Sequence, residues 1–222
     1  ARLFHFPVIA ALLKQGDAEP LRALRDALTE CKAIDGEEPL LAGWRLPMEA
    51  EYRAFWELPS PEDIRFNLMR AMIQARAVLG WLRSLDPSGE LLERIRFTAR
   101  TDSEAAAESI GGTTGPGLQK RAQEVERAIY KVSAALVAPD LANIDAAALS
   151  AYRPFDVISE IVIQEENRTR TLRPLLILDD AHTLHRQQFQ ETVKWLAERE
   201  IRVSRWILCR LDALTPSNVL LG

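Results

Sequence analysis

The residues most able to do chemistry are Asp179 and Asp180, which close the run Leu175-Leu176-Ile177-Leu178-Asp179-Asp180-Ala181-His182. Four consecutive large aliphatics suit a central strand of a parallel sheet, because helices cover both faces of such a strand. Two carboxylates at the carboxyl end of that strand lie where open α/β sheets place their ligands. The competing expectation is purely architectural: a buried strand ending in two acids that cap the helix behind it, a task Asp performs well.

Other candidates carry less. His182 and His185 stand three positions apart beside the two acids, whereas single-helix zinc sites favour histidines four apart and need a third protein ligand. They read as histidines at a solvated helix start, with no zinc site expected. The stretch Gly111-Gly112-Thr113-Thr114-Gly115-Pro116-Gly117-Leu118-Gln119-Lys120 precedes a helix, and helix amino termini attract anions. Leu118 follows the last Gly where a phosphate-binding loop needs Lys, and no apolar strand feeds the loop, so a flexible linker is expected. Arg168, Arg170 and Arg173 precede one apolar strand, and Arg199, Arg202 and Arg205 precede the next. The amino ends of parallel strands lie opposite the ligand edge, so these arginines read as solvated charges, with a nucleic-acid or partner-subunit contact as the alternative.

These residues need elements to position them. Ser60-Pro61-Glu62-Asp63 has the makings of a helix start, with a Ser cap, Pro in the first turn and acids at the positive end of the dipole. Ile64, Leu68, Met72, Ala75, Leu79, Leu82 and Leu85 then form one stripe, and Asp86-Pro87-Ser88-Gly89 ends it. A second helix is predicted over 118–137, from Leu118, Ala122, Val125, Ile129, Val132 and Leu136. Shorter helices are expected over 20–31, 140–152 and 155–164, while residues 3–13 favour an inner strand over a short helix. Trp44, Tyr52, Phe55 and Trp56 are expected to pack a core rather than cage a ligand. Residues 98–117 read as a flexible loop. Beyond the aspartates a helix over 185–200 and a second apolar strand over 204–211 complete a β-α-β unit, whose strands should be parallel and whose connection right-handed.

The strand ending in Asp179-Asp180, the helix after it and the strand Ser204-Arg205-Trp206-Ile207-Leu208-Cys209-Arg210-Leu211-Asp212 resemble the Walker B and sensor half of AAA+ and related P-loop ATPases. The likeness is to those that carry an extra strand between the P-loop strand and the Walker B strand. It spans roughly residues 172 to 216, and its nearest kin are bacterial origin-recognition-initiator-like or signal-transducing ATPases with helical insertions. The resemblance implies that Asp179 holds Mg²⁺ through water, because Mg²⁺ takes octahedral oxygen ligands and gives up its waters reluctantly. Asp180 stands where Glu is usual and would orient the water that attacks the γ-phosphate of ATP. Arg210 or Asp212 falls at the position of the polar sensor, commonly Asn, Thr or Ser. Asp179-Asp180-Ala181-His182 is also similar to the Asp-Glu-Ala-His box of helicases, which continue into a strand ending Ser-Ala-Thr where this chain has Arg-Leu-Asp.

The phosphate cradle of such enzymes, G-x-x-x-x-G-K-[ST], occurs nowhere in the 222 residues. The resemblance therefore implies a cradle upstream of Ala1 and no ATP hydrolysis by this chain alone. In those families the P-loop strand lies beside the sensor strand, so the strand over 204–211 would keep an exposed apolar edge. The absence of an initiator Met fits a piece of something longer.

A content of 47% hydrophobic and 27% charged residues is that of an ordinary globular sequence with room for a large core. A net charge of −4 gives no global field to recruit nucleic acid or an anionic membrane. Cys31 and Cys209 are too few for a disulfide framework, which makes a reducing cytoplasm the expected compartment. No apolar run reaches the ~18 residues of a membrane span, and the first residues lack the layout of a secretory signal. The resulting expectation is an α/β chain: a mainly helical region with an N-terminal strand over 1–150, joined over 151–222 to the Walker B half of a parallel-sheet ATPase core. Its function is then ATP binding and hydrolysis with Mg²⁺, coupled to movement of the helical module, in an oligomer or with a partner protein. A non-catalytic scaffold, a helical interaction module and, behind these, a helicase-like motor are the alternatives.

Overall fold

The computed structural model describes residues 2–15, 19–99, 104–133, 151–166 and 168–210. In chain order its elements are α1 (Phe6–Lys14), α2 (Glu19–Glu30), β1 (Ile34–Asp35), β2 (Glu38–Pro39), β3 (Leu41–Pro47), α3 (Ala50–Ala54), α4 (Glu62–Leu85), β4 (Ile95–Ala99) and α5 (Glu104–Ser109). Then come α6 (Gly115–Ser133), α7 (Pro154–Val157), β5 (Ile158–Gln164), β6 (Thr169–Asp179), α8 (Arg186–Leu196) and β7 (Ser204–Ile207). The chain is α/β with a mixed sheet, and β6 is its hub. The second half of β6 runs parallel to β3, from Leu41 opposite Arg173 to Pro47 opposite Asp179. The same half runs parallel to β7, from Ser204 opposite Leu175 to Ile207 opposite Leu178. Since both partners face the same residues, they occupy opposite edges. The first half of β6 pairs antiparallel with β5, and β5 with β4.

The faces of β6 alternate as a doubly covered strand requires. Leu172, Leu176 and Leu178 enter the larger core with Leu68, Met72 and Trp81 of α4, Ile129 of α6 and Trp195 of α8. Leu175 and Ile177 enter a second core with Ile9 and Leu12 of α1, Leu28 of α2 and Leu41 of β3. Each such aliphatic contributes about 1.5–3 kcal/mol on burial. The Trp81 indole N–H also donates to the Leu175 carbonyl at 3.1 Å, fixing α4 under the strand. Residues from either side of position 150 thus share one sheet and one core.

Several sequence expectations are corrected. Residues 6–14 are helix rather than strand: Pro7 sits in the first turn and Phe6, Ile9 and Leu12 recur on one face. Residues 158–164 are strand rather than helix. There Ile161 and Ile163 are buried and alternate with half-exposed neighbours, a period of two carried by β-branched residues. Only Pro154–Val157 before them is helical. The loop expected over 98–117 contains α5, and its Thr113 carbonyl accepts from Phe97 N–H at 2.8 Å on β4. Helix α4 begins without the Ser60 cap, since Pro61 is the N-cap residue and the buried Ser60 hydroxyl has no partner among the described residues. Its end is as expected, with the Asp86 carboxylate accepting from the Gly89 and Leu91 N–H groups, each at 2.8 Å. The Ala-rich helix expected over 140–152 lies almost wholly outside the described residues. Tyr52 and Phe55 are buried in the larger core, as expected of packing aromatics.

Candidate functional site

At Asp179 the sheet hydrogen bonding gives way to a turn fixed from both flanks. Met48 N–H, just past β3, donates to the Asp179 carbonyl at 2.8 Å. Leu208, just past β7, donates to the Leu178 carbonyl at 2.8 Å and accepts from Ala181 N–H at 3.1 Å. The Thr183 hydroxyl reaches the Met48 carbonyl at 2.5 Å. Between these anchors Asp180 takes a left-handed conformation, φ 57° and ψ 33°. Asp tolerates this region better than most residues, and such a conformation persists only when its surroundings over-determine it.

Asp180 precedes the 3₁₀ turn Ala181–Thr183 but makes no side-chain cap bond. The N-cap residue of α8 is His185, in a capping-box arrangement with Gln188, whose side chain accepts from His185 N–H at 3.3 Å. The aspartates do not cap the helix that follows. Asp179 Oδ1 accepts from Asp180 N–H at 3.1 Å, and Oδ2 is held by Arg45 Nε from β3. Arg45 also brings a terminal nitrogen to 3.9 Å from Asp180 Oδ2. The side chain of Asp179 is 19% exposed and that of Asp180 49%, so one carboxylate is sheltered and the other faces solvent.

Arg45 is the neighbour of the two acids that the sequence reading missed. Its place in β3 is set by Gly43, where any Cβ would collide with the Phe4 carbonyl, and by Trp44, which stacks on His5 at 5.5 Å. The Arg45 backbone N–H donates to His5 Nε2 at 3.1 Å. A lone basic residue on a short apolar strand was the only signal, and it means little until the pairing of β3 with β6 is known.

Other sequence candidates are placed as follows. Arg210 is exposed and lies three residues beyond the end of β7, which stops at Ile207 rather than continuing to 211. Asp212 lies outside the described residues. Burial pushes the Cys209 thiol above its ordinary value, against a hydrogen bond from the His182 backbone. Both cysteines are free. His185 is engaged twice, as the α8 cap and as acceptor from Arg53 Nε at 3.3 Å. Among the described residues no group of three or more His, Cys, Asp or Glu is arranged to hold a metal ion.

The glycine-rich loop hydrogen-bonds to its own chain. Gly111 and Gly112 N–H donate to Glu108 and Ala107 carbonyls at 3.0 and 2.7 Å, while Gly117 N–H donates to the Thr114 hydroxyl at 3.3 Å. A Cβ on Gly111 would meet Arg121 Cβ at 2.7 Å and one on Gly117 the Gly111 carbonyl, so these two serve close packing, whereas Gly112 has open space and a positive φ of 86°. Of the arginines expected to be solvated charges, Arg170 and Arg173 lie within β6 and Arg205 within β7, and these three with Arg168 make side-chain bonds. Arg168 bridges Glu165 and Glu38 at 2.5 and 2.6 Å, and Arg170 pairs with the same two acids. Arg205 donates to the carbonyls of Leu196, Ile201 and Val203 and so caps the carboxyl end of α8.

Two acids are fewer than a self-sufficient metal cage needs, but Mg²⁺ is commonly held by one or two carboxylates with waters and substrate phosphates supplying the rest. The sheltered Asp179 and the exposed Asp180 suit that donor set. No protein-family model matches the chain, and no curated protein or solved structure is significantly similar to it. No helix among the described residues is long and apolar enough to cross a membrane.

Proposed function

We propose that the end of β6 is the metal-and-water half of an ATP-hydrolysing site of the AAA+-like P-loop class. The observation that carries this reading is the placement of Asp179-Asp180: at the carboxyl end of a strand with parallel neighbours on both edges, in a turn anchored by both. Asp179 is the residue that would hold Mg²⁺ through water, and Asp180 the one that would orient the attacking water. Bound Mg²⁺ would neutralise charge on the phosphates as they react. Arg210 is proposed as the sensor-side residue, with Asp212 beside it in sequence. The reading requires a phosphate cradle outside these 222 residues, and it places the activity in a larger assembly that couples nucleotide state to the helical layers. A cytoplasmic setting belongs to the same proposal.

The test is nucleotide affinity in the complete protein, measured with Mg²⁺ and with chelator. Asp179→Asn should lower the Mg²⁺-dependent affinity by about tenfold or more, the scale of a lost outer-shell metal partner. Unchanged affinity would remove Asp179 from the metal site.

A second reading, a scaffold that keeps the sheet without turnover, is favoured by the Arg45–Asp179 ion pair, which gives the carboxylate a structural partner. On that reading Asp179→Asn lowers stability and leaves nucleotide affinity alone.

A further inference from the structure

We infer that Arg45 is a resident cation that competes with a divalent metal ion for Asp179 and Asp180, so that metal entry must part the Arg45–Asp179 ion pair. The inference rests on the metal-binding role proposed for this pair and concerns how that role is controlled. One guanidinium faces both carboxylates: Nε lies against Asp179 Oδ2, and a terminal nitrogen lies 3.9 Å from Asp180 Oδ2. Among the described residues these are the ion pairs of Arg45, so its charge is directed at this pair alone.

Asp179 Oδ1 accepts from Asp180 N–H and Oδ2 from Arg45 Nε, so a metal-bound water has to share one of these two oxygens, and at Oδ2 it meets the guanidinium. A hydrated Mg²⁺ would bring water oxygens about 2.1 Å from the ion into the volume of the guanidinium. The two positive groups would also repel each other across a few ångströms of partly desolvated space. Arg45 can yield without moving its strand. Its backbone is fixed by the His5 bond and by its register opposite Ile177, while its side chain is 26% exposed and has solvent to turn into. The ion pair therefore works as a latch: it sets a threshold of metal concentration below which Asp179 stays engaged with protein.

Manganese, an Mg²⁺ mimic that electron paramagnetic resonance detects directly, is the probe, titrated alone into the full chain at low salt. Arg45→Gln, which keeps the stem and a hydrogen-bond donor as far as the Nε position but removes the charge and the terminal nitrogens, should bind Mn²⁺ about tenfold tighter than the unsubstituted chain, and adding Asp179→Asn should abolish the gain. If Arg45→Gln binds no tighter while Asp179→Asn alone weakens binding, the competition is refuted and the metal reading stands. If neither substitution changes Mn²⁺ binding, both fall. A second measurement needs no substitution: the Arg45 Nε–H resonance should shift with added Mg²⁺ along the binding isotherm. A resonance that stays put while the metal binds at Asp179 would overturn the latch.

Discussion

Arg76 and Tyr152 are opposite cases of burial for a polar group. The Arg76 guanidinium on α4 donates to Glu51, to Glu126 at 3.1 Å, to the Tyr52 hydroxyl at 3.1 Å and to Tyr130, and so ties α3, α4 and α6 together. Its hydrogen bond holds the Glu51 carboxyl below the ordinary value of 4.5, against the upward push of burial. A depressed acid contributes stability that is fully present above its unfolded-state value and is lost as pH falls through the lower folded-state value. Glu51→Gln should therefore be less stable than the parent at neutral pH, with the difference closing below about pH 4.5. Because the Glu51 side chain is 39% exposed, the difference should stay within ~1 kcal/mol. Melting curves that differ equally at every pH would contradict this. The Tyr152 hydroxyl, fully buried, has no partner among the described residues, and burial pushes its ionisation upward. An unsatisfied buried group costs about 1–3 kcal/mol, so Tyr152→Phe should be neutral or stabilising, whereas Tyr52→Phe, which loses the bond from Arg76, should cost about 1 kcal/mol. Denaturant titrations giving the reverse order would refute the pairing of these hydroxyls.

Between elements, the contact that seats β3 on α4 is the indole of Trp44 against Gly80. Helix propensity alone favours Ala over Gly by about 1 kcal/mol in a helix interior. A Cβ at Gly80, however, would run into the Trp44 ring, and overpacking costs about 1–3 kcal/mol. Gly80→Ala should thus destabilise the parent yet stabilise a Trp44→Leu variant, where the obstacle is smaller. Additive effects in that double-mutant cycle would contradict the contact. The elements legible in sequence were those whose signal is local: α4 and α6 from long apolar stripes, β6 from its unbroken aliphatic run. Those that were missed depend on distant partners. Leu41-Ala42-Gly43-Trp44-Arg45-Leu46-Pro47 has no clean alternation, and it becomes a strand because it borders Arg173 through Asp179, over 130 positions later in the chain. Residues 158–164 satisfy a helical stripe and a two-residue period at once, and pairing with β4 and β6 decides between them.

For the whole molecule, the acid pair was visible in sequence because its strand is covered on both faces, and its partner Arg45 was not, because register across a sheet is a long-range property. The N–H groups of Gly111, Gly112 and Gly117 are spent on their own chain and no Lys follows the last Gly, so the 222-residue chain by itself should show no Mg²⁺-dependent ATP turnover. Turnover that Asp179→Ala abolishes would point to a phosphate site within these residues. The central claim is that Asp179 and Asp180 divide metal and water between them. It is tested most directly by measuring nucleotide affinity and single-turnover hydrolysis on the same preparations of the complete protein, for the parent, Asp179→Asn and Asp180→Asn. Asp179→Asn should lose Mg²⁺-dependent binding and turnover together, while Asp180→Asn should bind ATP normally and hydrolyse it roughly 10²-fold more slowly, the scale of a lost general base. Parent-rate hydrolysis by Asp180→Asn, or variants that lose only thermal stability with nucleotide binding intact, would contradict the assignment.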